Sequence, residues 1–313
     1  MTTVDFCGLR LAHPVVNGSG TYDAIAARRV FGDALLASFP FSAFVSKTIT
    51  LQPRAGNPPP RLWETPAGMI NSIGLPNRGL AGYLEYDLPE LAALPVPLIT
   101  NVMGSTEAEV AALVEAVDAR PEIAAIELNV SCPNVRTGLD IGADPASLGA
   151  LVRAVRPLTG KPLIVKLTPN TADVAAVAQA AEAEGADAVS LINTLRAMAL
   201  APGSGEPWLG GGTGGLSGPA IRAVALAQVA AVARRVRIAI VGMGGITRGN
   251  HARDLLLAGA SLVAVGTENF RDPIAASRIC CELKSLQNAE TPSTSVNEPR
   301  PQVEVDVNSA DSP

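Results

Sequence analysis

Cys132 stands in the run Asn129-Val130-Ser131-Cys132-Pro133-Asn134, directly after the apolar stretch Ala124-Ala125-Ile126-Glu127-Leu128. A strand that ends in two amides, a hydroxyl and a thiol is a poor structural element and a good reaction centre. A free cysteine on its own is most often a small buried hydrophobe. Lodged between Ser131 and Pro133 in a polar loop, it is better read as a nucleophile or a base. Neither histidine is placed to serve it, since His13 precedes the first strand and His251 begins a helix after Gly245. A Cys–His acyl-transfer site is therefore disfavoured.

Other strand ends carry chemistry of the same polar kind. Lys47 and Lys166 each end or interrupt an apolar run. A lysine aimed into a pocket needs a negative partner, such as a phosphate-bearing cofactor or an anionic substrate. The competing reading puts each lysine on the outer surface. Asn71, Asn101, Asn129, Asn134 and Asn193 form an amide group at strand ends or in one loop. Amides offer donor and acceptor together and so match a flat ring bearing N–H and C=O groups, such as a pyrimidinedione or an isoalloxazine. Any one of them can instead cap a helix or make a turn. Gly242-Met243-Gly244-Gly245 and Gly266-Thr267 close two further strands just before helices. Backbone N–H groups at such ends bind phosphate, or else the glycines simply make tight turns. Residues 210–218 contain G-x-G-x-x-G, but they follow a loop and not a strand, so the dinucleotide reading fails.

These residues must be positioned by a repeating scaffold. Short β-branched runs begin at Pro14, Ala43, Pro97, Ala125, Leu163, Ala188, Ile238 and Leu262. Helical periodicity lies between most of them, at 108–119, 146–155, 174–183 and 220–233. Asp144-Pro145 and Ser217-Gly218-Pro219 look like helix starts. Eight βα units in series predict a (β/α)8 barrel of the TIM type, an α/β fold of about 250 residues. A doubly wound sheet is the alternative. Two connections, from Thr48 to about Pro95 and from Leu195 to Leu216, are too long for simple loops and are expected to be functional. The barrel should occupy 1–286, and the polar stretch 287–313 should form a disordered tail.

Composition narrows the options. The 313 residues are 48% hydrophobic but only 4% aromatic, which suits a core of Val, Ile, Leu and Ala around parallel strands. Net charge is −5 with no basic block, so nucleic-acid binding has no electrostatic footprint. No export signal or membrane-spanning run is evident. The four cysteines form no Cys-x-x-Cys pair, so a zinc or iron–sulfur site made by this chain alone is not expected. A reducing cytoplasm is the expected compartment.

Together these segments resemble the class 1 dihydroorotate dehydrogenases. The resemblance spans about 4–285. It rests on Gly56-Asn57-Pro58-Pro59-Pro60-Arg61, Asn71-Ser72-Ile73-Gly74-Leu75-Pro76-Asn77, the Cys132 run, Thr213-Gly214-Gly215-Leu216-Ser217-Gly218 and Gly242-Met243-Gly244-Gly245. It implies an FMN-bearing barrel that oxidises dihydroorotate to orotate in pyrimidine synthesis, with Cys132 as the base. It implies substrate contacts from Lys47, Asn71, Ser72, Ile73, Gly74, Leu75, Asn129, Asn193 and Thr194. For FMN it implies Ser19, Lys47, Thr48, Asn101, Asn129, Lys166, Ile192, Gly218, Gly244, Gly245, Gly266 and Thr267. Glu64-Thr65-Pro66-Ala67-Gly68-Met69-Ile70 resembles the B type, whose partner subunit carries FAD and a [2Fe–2S] cluster and passes electrons to NAD in a heterotetramer. Leu75-Pro76-Asn77 is closer to the A type, a homodimer that reduces fumarate. A non-redox barrel that binds a phosphorylated metabolite is the rival from another class.

Overall fold

The computed structural model describes residues 3–130 and 141–289. Eight parallel strands form one sheet: β1 (Val15–Asn17), β2 (Phe44–Val45), β3 (Leu98–Val102), β4 (Ile123–Asn129), β5 (Leu163–Lys166), β6 (Ala188–Leu191), β7 (Ala239–Met243) and β8 (Leu262–Val265). Their spatial order follows the chain, with β8 against β1. That order is the one a barrel needs, and it removes the doubly wound alternative.

The last seam, between β1 and β2, is closed by a side chain. The Asn17 amide donates to the Val45 carbonyl and accepts from the Val45 N–H, both at 2.8 Å. Ser42 adds a backbone bond to the Val15 carbonyl at 3.0 Å. Asn17 is fully buried and therefore acts as a substitute for a missing ladder rung.

Alternation along each strand sorts side chains into two cores. Val16, Ile99, Ala125, Ile164, Ala188, Val241 and Leu262 fill the barrel interior. Phe6 and Leu11 close its N-terminal end from a hairpin, Val4–Phe6 with Leu9–Leu11. The outward residues, such as Leu98, Ile126, Leu163 and Val189, pack beneath the helices. The helices start where the periodicity predicts. Thr106 caps Glu107–Asp118, Asp144 caps Pro145–Val155 with Pro145 in the first turn, and Asp173 caps Val174–Ala183. The helix expected over 220–233 begins as the 3-10 turn Pro219–Ile221 and continues as Arg222–Ala233.

The two long connections meet. Leu62–Thr65 and Gly68–Asn71 come from the first, and Leu195–Ala197 and Gly214–Ser217 from the second. They form a single four-stranded antiparallel sheet over the C-terminal mouth of the barrel. Ile70, Ala199 and Leu209 form its small core, beside an edge-on Trp63–Trp208 pair with centroids 5.3 Å apart.

The final helix runs Ala275–Ala289. Buried Ile279 and Leu283 anchor this helix. Gln287, Asn288 and Ala289 do not break a helix so anchored. Among the described residues no helix is long and apolar enough to cross a membrane.

Candidate active site

A cavity of about 470 Å³ lies between the barrel mouth and the overlying sheet. This is within the range of roughly 300–1,000 Å³ usual for small-molecule sites. Every described residue named above for substrate or FMN contact lines it, except Ser72 and Asn101. Ser72 is fully buried within the overlying sheet, where its hydroxyl accepts from Asn57 at 2.9 Å. Asn101 is also fully buried and points into the barrel beneath the cavity. Cys132 and Asn134 lie outside the described residues.

The floor is built by β1, β2, β4 and β5. Ser19 donates to the Ser46 carbonyl at 3.0 Å and meets the Thr48 hydroxyl at 3.4 Å. Asn129 donates to that same hydroxyl at 3.2 Å. These contacts join three strand ends into one polar wall. Lys166 reaches the floor from β5, 6% exposed, with no ion pair among the described residues. Lys47 stands at the opening. Burial of its surroundings lowers its pKa below the ordinary 10.5, Arg61 lowers it further, and Asp23 and Asp87 act in the opposite direction. Both lysines thus face the cavity, which removes the outer-surface reading.

The roof is held by side chains that make turns. In the loop after Asn71, Gly74 and Leu75 have φ of +75° and +56°. For leucine this is a strained conformation. Asn77 holds it, donating to the Leu75 carbonyl at 2.9 Å and accepting from the Gly79 N–H at 2.8 Å. Ile73, Gly74 and Leu75 are thereby presented to the cavity. Asn71 donates to the Gly215 carbonyl at 3.2 Å and ties the two long connections together. Asn170, in the loop after β5, pins the start of the second connection, donating to the Thr194 carbonyl at 3.0 Å and accepting from the Arg196 N–H at 2.9 Å.

The glycine ends of β7 and β8 form the remaining wall. Gly245, with φ of +68°, is packed so closely on Arg222 and the Gly218 carbonyl that a Cβ would clash. A substituent at Gly266 would meet only Thr21 at 3.8 Å. This wall therefore leaves room for a ligand to approach the backbone.

Sequence reasoning missed several parts of the site. Glu127 lies in an apolar run and is 3% exposed, accepting from Asn101 and, at 2.6 Å, from Ser190. An acid at an inward strand position was the available signal. Thr21, Glu268 and Phe270 also line the cavity with no local pattern to mark them, and Met69 and Ser217 line it from segments for which no contact was expected of them. Among the described residues no cluster of His, Cys, Asp and Glu is arranged to hold a metal.

The donor set fits a flat, polar, anionic cofactor. Two cations, several amides and glycine-lined strand ends face one cavity. The Asn101 carbonyl oxygen and the Ser217 hydroxyl are buried without a hydrogen-bond partner among the described residues. Such atoms normally have one.

A family model described as Dihydroorotate dehydrogenase matches residues 1–286. A relative from Pelobacter propionicus is 48% identical over 278 residues, covering 88% of this chain and 90% of the relative. One from Geobacter sulfurreducens is 45% identical over 285 residues, covering 90% and 92%. One from Desulforudis audaxviator is 45% identical over 287 residues, covering 90% and 91%. Each is named dihydroorotate dehydrogenase B (NAD(+)), catalytic subunit.

Proposed function

The chain belongs to the dihydroorotate dehydrogenase family, and from that premise we propose that it is the FMN-bearing catalytic subunit of a B-type enzyme. It oxidises (S)-dihydroorotate to orotate, and its electrons pass to NAD through a partner subunit carrying FAD and a [2Fe–2S] cluster. The observation that carries the reading is the convergence of Lys47, Lys166 and the amides of Asn71, Asn129 and Asn193 on one cavity beside the glycine ends of β7 and β8. A non-redox barrel would use the glycine ends but has no need of the amide set.

The roles follow from chemistry. When bound, FMN supplies the acceptor for the hydride that leaves C6 of the substrate. Cys132 is the proposed base for the proton at C5. A free thiol has a pKa near 8.5, so its surroundings must help it act at neutral pH. Lys47 binds the substrate carboxylate at the cavity opening. Asn71, Asn129 and Asn193 hold the pyrimidine ring through its N–H and C=O groups and fix which carbon faces the flavin. Lys166 stabilises negative charge on the reduced flavin. Ser19, Thr48 and the glycine ends of β7 and β8 hold the remainder of FMN, its phosphate at the glycines.

The relatives' names support NAD linkage, and this chain has no cysteine spacing for an iron–sulfur cluster. NAD reduction is therefore assigned to the assembled enzyme. The test is spectroscopic. Purified protein should be yellow, and dihydroorotate should bleach it without oxygen. The isolated chain should reduce a dye but not NAD until the partner is added. A colourless protein with no FMN affinity would overturn the reading. Efficient fumarate reduction by the isolated chain would make it A-type instead.

A further inference from the structure

Among the described residues, Glu127 and Lys166 are the only buried charged side chains, at 3% and 6% exposure. They stand on adjacent strands, β4 and β5, in the inward-facing phase. Lys166 is in register with Asn129, two residues above Glu127. At the rise of a strand, that places the two charges one side-chain layer apart, roughly 7 Å along the barrel.

Burying one charge alone is costly, and proteins pair or solvate such groups. Both oxygens of Glu127 are occupied by neutral donors, the Asn101 amide from β3 and the Ser190 hydroxyl from β6. Donors at both oxygens are the pattern of a carboxylate. Glu127 does not reach the cavity, so it touches neither substrate nor cofactor there. Lys166 does reach it.

We propose that Glu127 is a buried counter-charge to Lys166, a positioning residue that attenuates the field of the ammonium where FMN binds. The inference rests on the FMN reading above. The fold alone could use Glu127 as a stitch between β3, β4 and β6. The two roles separate because only the first depends on charge.

Glu127→Gln keeps the shape and removes the charge. The readout is sulfite affinity of the flavin-loaded protein. Sulfite forms an N–S bond to flavin N5, and the electron pair it brings leaves negative charge on the ring, so no other reactant is needed. Affinity thus reports the local field. Two unit charges roughly 10 Å apart at an effective dielectric near 20 alter an equilibrium constant on the order of tenfold. Glu127→Gln should accordingly bind sulfite about tenfold tighter, and Lys166→Gln, whose ammonium lines the cavity itself, should bind it weaker by a larger factor. Glu127→Asp, which retains the charge, should stay near the wild type.

An unchanged sulfite constant in flavin-replete Glu127→Gln, or weaker binding, would overturn the counter-charge and leave the FMN reading intact. A wild type that binds no FMN would overturn both. Should Glu127→Gln fail to fold, infrared spectra of the wild type and Glu127→Asp decide. A protonated-carboxyl band in the wild type that shifts in Glu127→Asp would overturn the proposal, and its absence would support it.

Discussion

Replacing Asn17 by alanine removes the clasp of the barrel. Val45 sits in a two-residue strand whose neighbours bond toward β3, Phe44 to the Pro97 carbonyl and Ser46 to the Ile99 carbonyl. In a parallel strand the N–H and C=O of the residue between them face the other way. Both of those groups on Val45 are satisfied by the Asn17 side chain, and Val45 is 5% exposed. The alanine variant leaves a buried donor and a buried acceptor unpaired. At about 1–3 kcal/mol each, the loss is about 2–6 kcal/mol. That is a large part of the roughly 5–15 kcal/mol that holds a domain together. Asn17→Asp should not rescue the loss, because a fully buried carboxylate would face the Val45 and Gly18 carbonyls, both of which need a donor. Urea unfolding followed by fluorescence gives the stability, and absorbance gives flavin retention, which should fall because Gly18 and Ser19 line the cavity next in sequence. A midpoint for Asn17→Ala that matches the wild type would refute the clasp and require a backbone ladder between β1 and β2.

Cys132→Ala should retain flavin yet lose about 10²–10⁴-fold in flavin reduction by dihydroorotate, the usual contribution of a base; near-normal reduction at neutral pH would remove Cys132 from the mechanism. Orotate affinity should fall on alkalinisation before pH reaches the ordinary lysine value of 10.5, because burial lowers the Lys47 pKa and the cation that meets the carboxylate is lost as pH rises through it; titration of the flavin spectrum reads this, and a dependence that persists in Lys47→Ala would assign it elsewhere. Gly68→Ala should disrupt the overlying sheet while sparing the barrel, since its φ is +150° and a Cβ there would overlap the Ser217 carbonyl; lost orotate binding with the same unfolding midpoint is expected, and unchanged binding would contradict it. Deleting residues 290–313 should leave flavin content and dye-linked turnover unchanged, and loss of FMN on truncation would show that the segment supports the barrel.

The barrel strands were legible because each is a short β-branched run buried on both sides, and the helices because their apolar spacing and caps coincide. Asp144-Pro145 is the clearest case, with the Asp144 carboxylate accepting from the Ser147 N–H at 2.8 Å. The cavity residues were largely legible because polar groups at the ends of apolar runs stand out. The overlying sheet was not. Its strands are short and carry Gly68, Gly214 and Gly215; Leu62–Thr65 and Gly68–Asn71 form a local hairpin, but the pairing that makes one sheet joins segments far apart in sequence, as Asn71 with Gly215. No local pattern carries such a pairing. The N-terminal hairpin could have been read, since Val4-Asp5-Phe6 and Leu9-Arg10-Leu11 alternate around Cys7-Gly8, both at positive φ as a two-residue hairpin turn requires. The role of Asn17 was not legible, because an asparagine that faces a ligand and one that completes a sheet look alike in sequence.

The Phe6–Leu11 hairpin has a kinetic consequence. With the barrel interior filled and its N-terminal end closed, the cavity is a blind pocket. Whatever enters from the mouth must return through it. Oxidised product therefore occupies the same berth that fresh substrate needs and excludes it until it departs. Product inhibition by orotate should be competitive with dihydroorotate, and its escape can set the pace of the whole cycle even when the chemistry is fast.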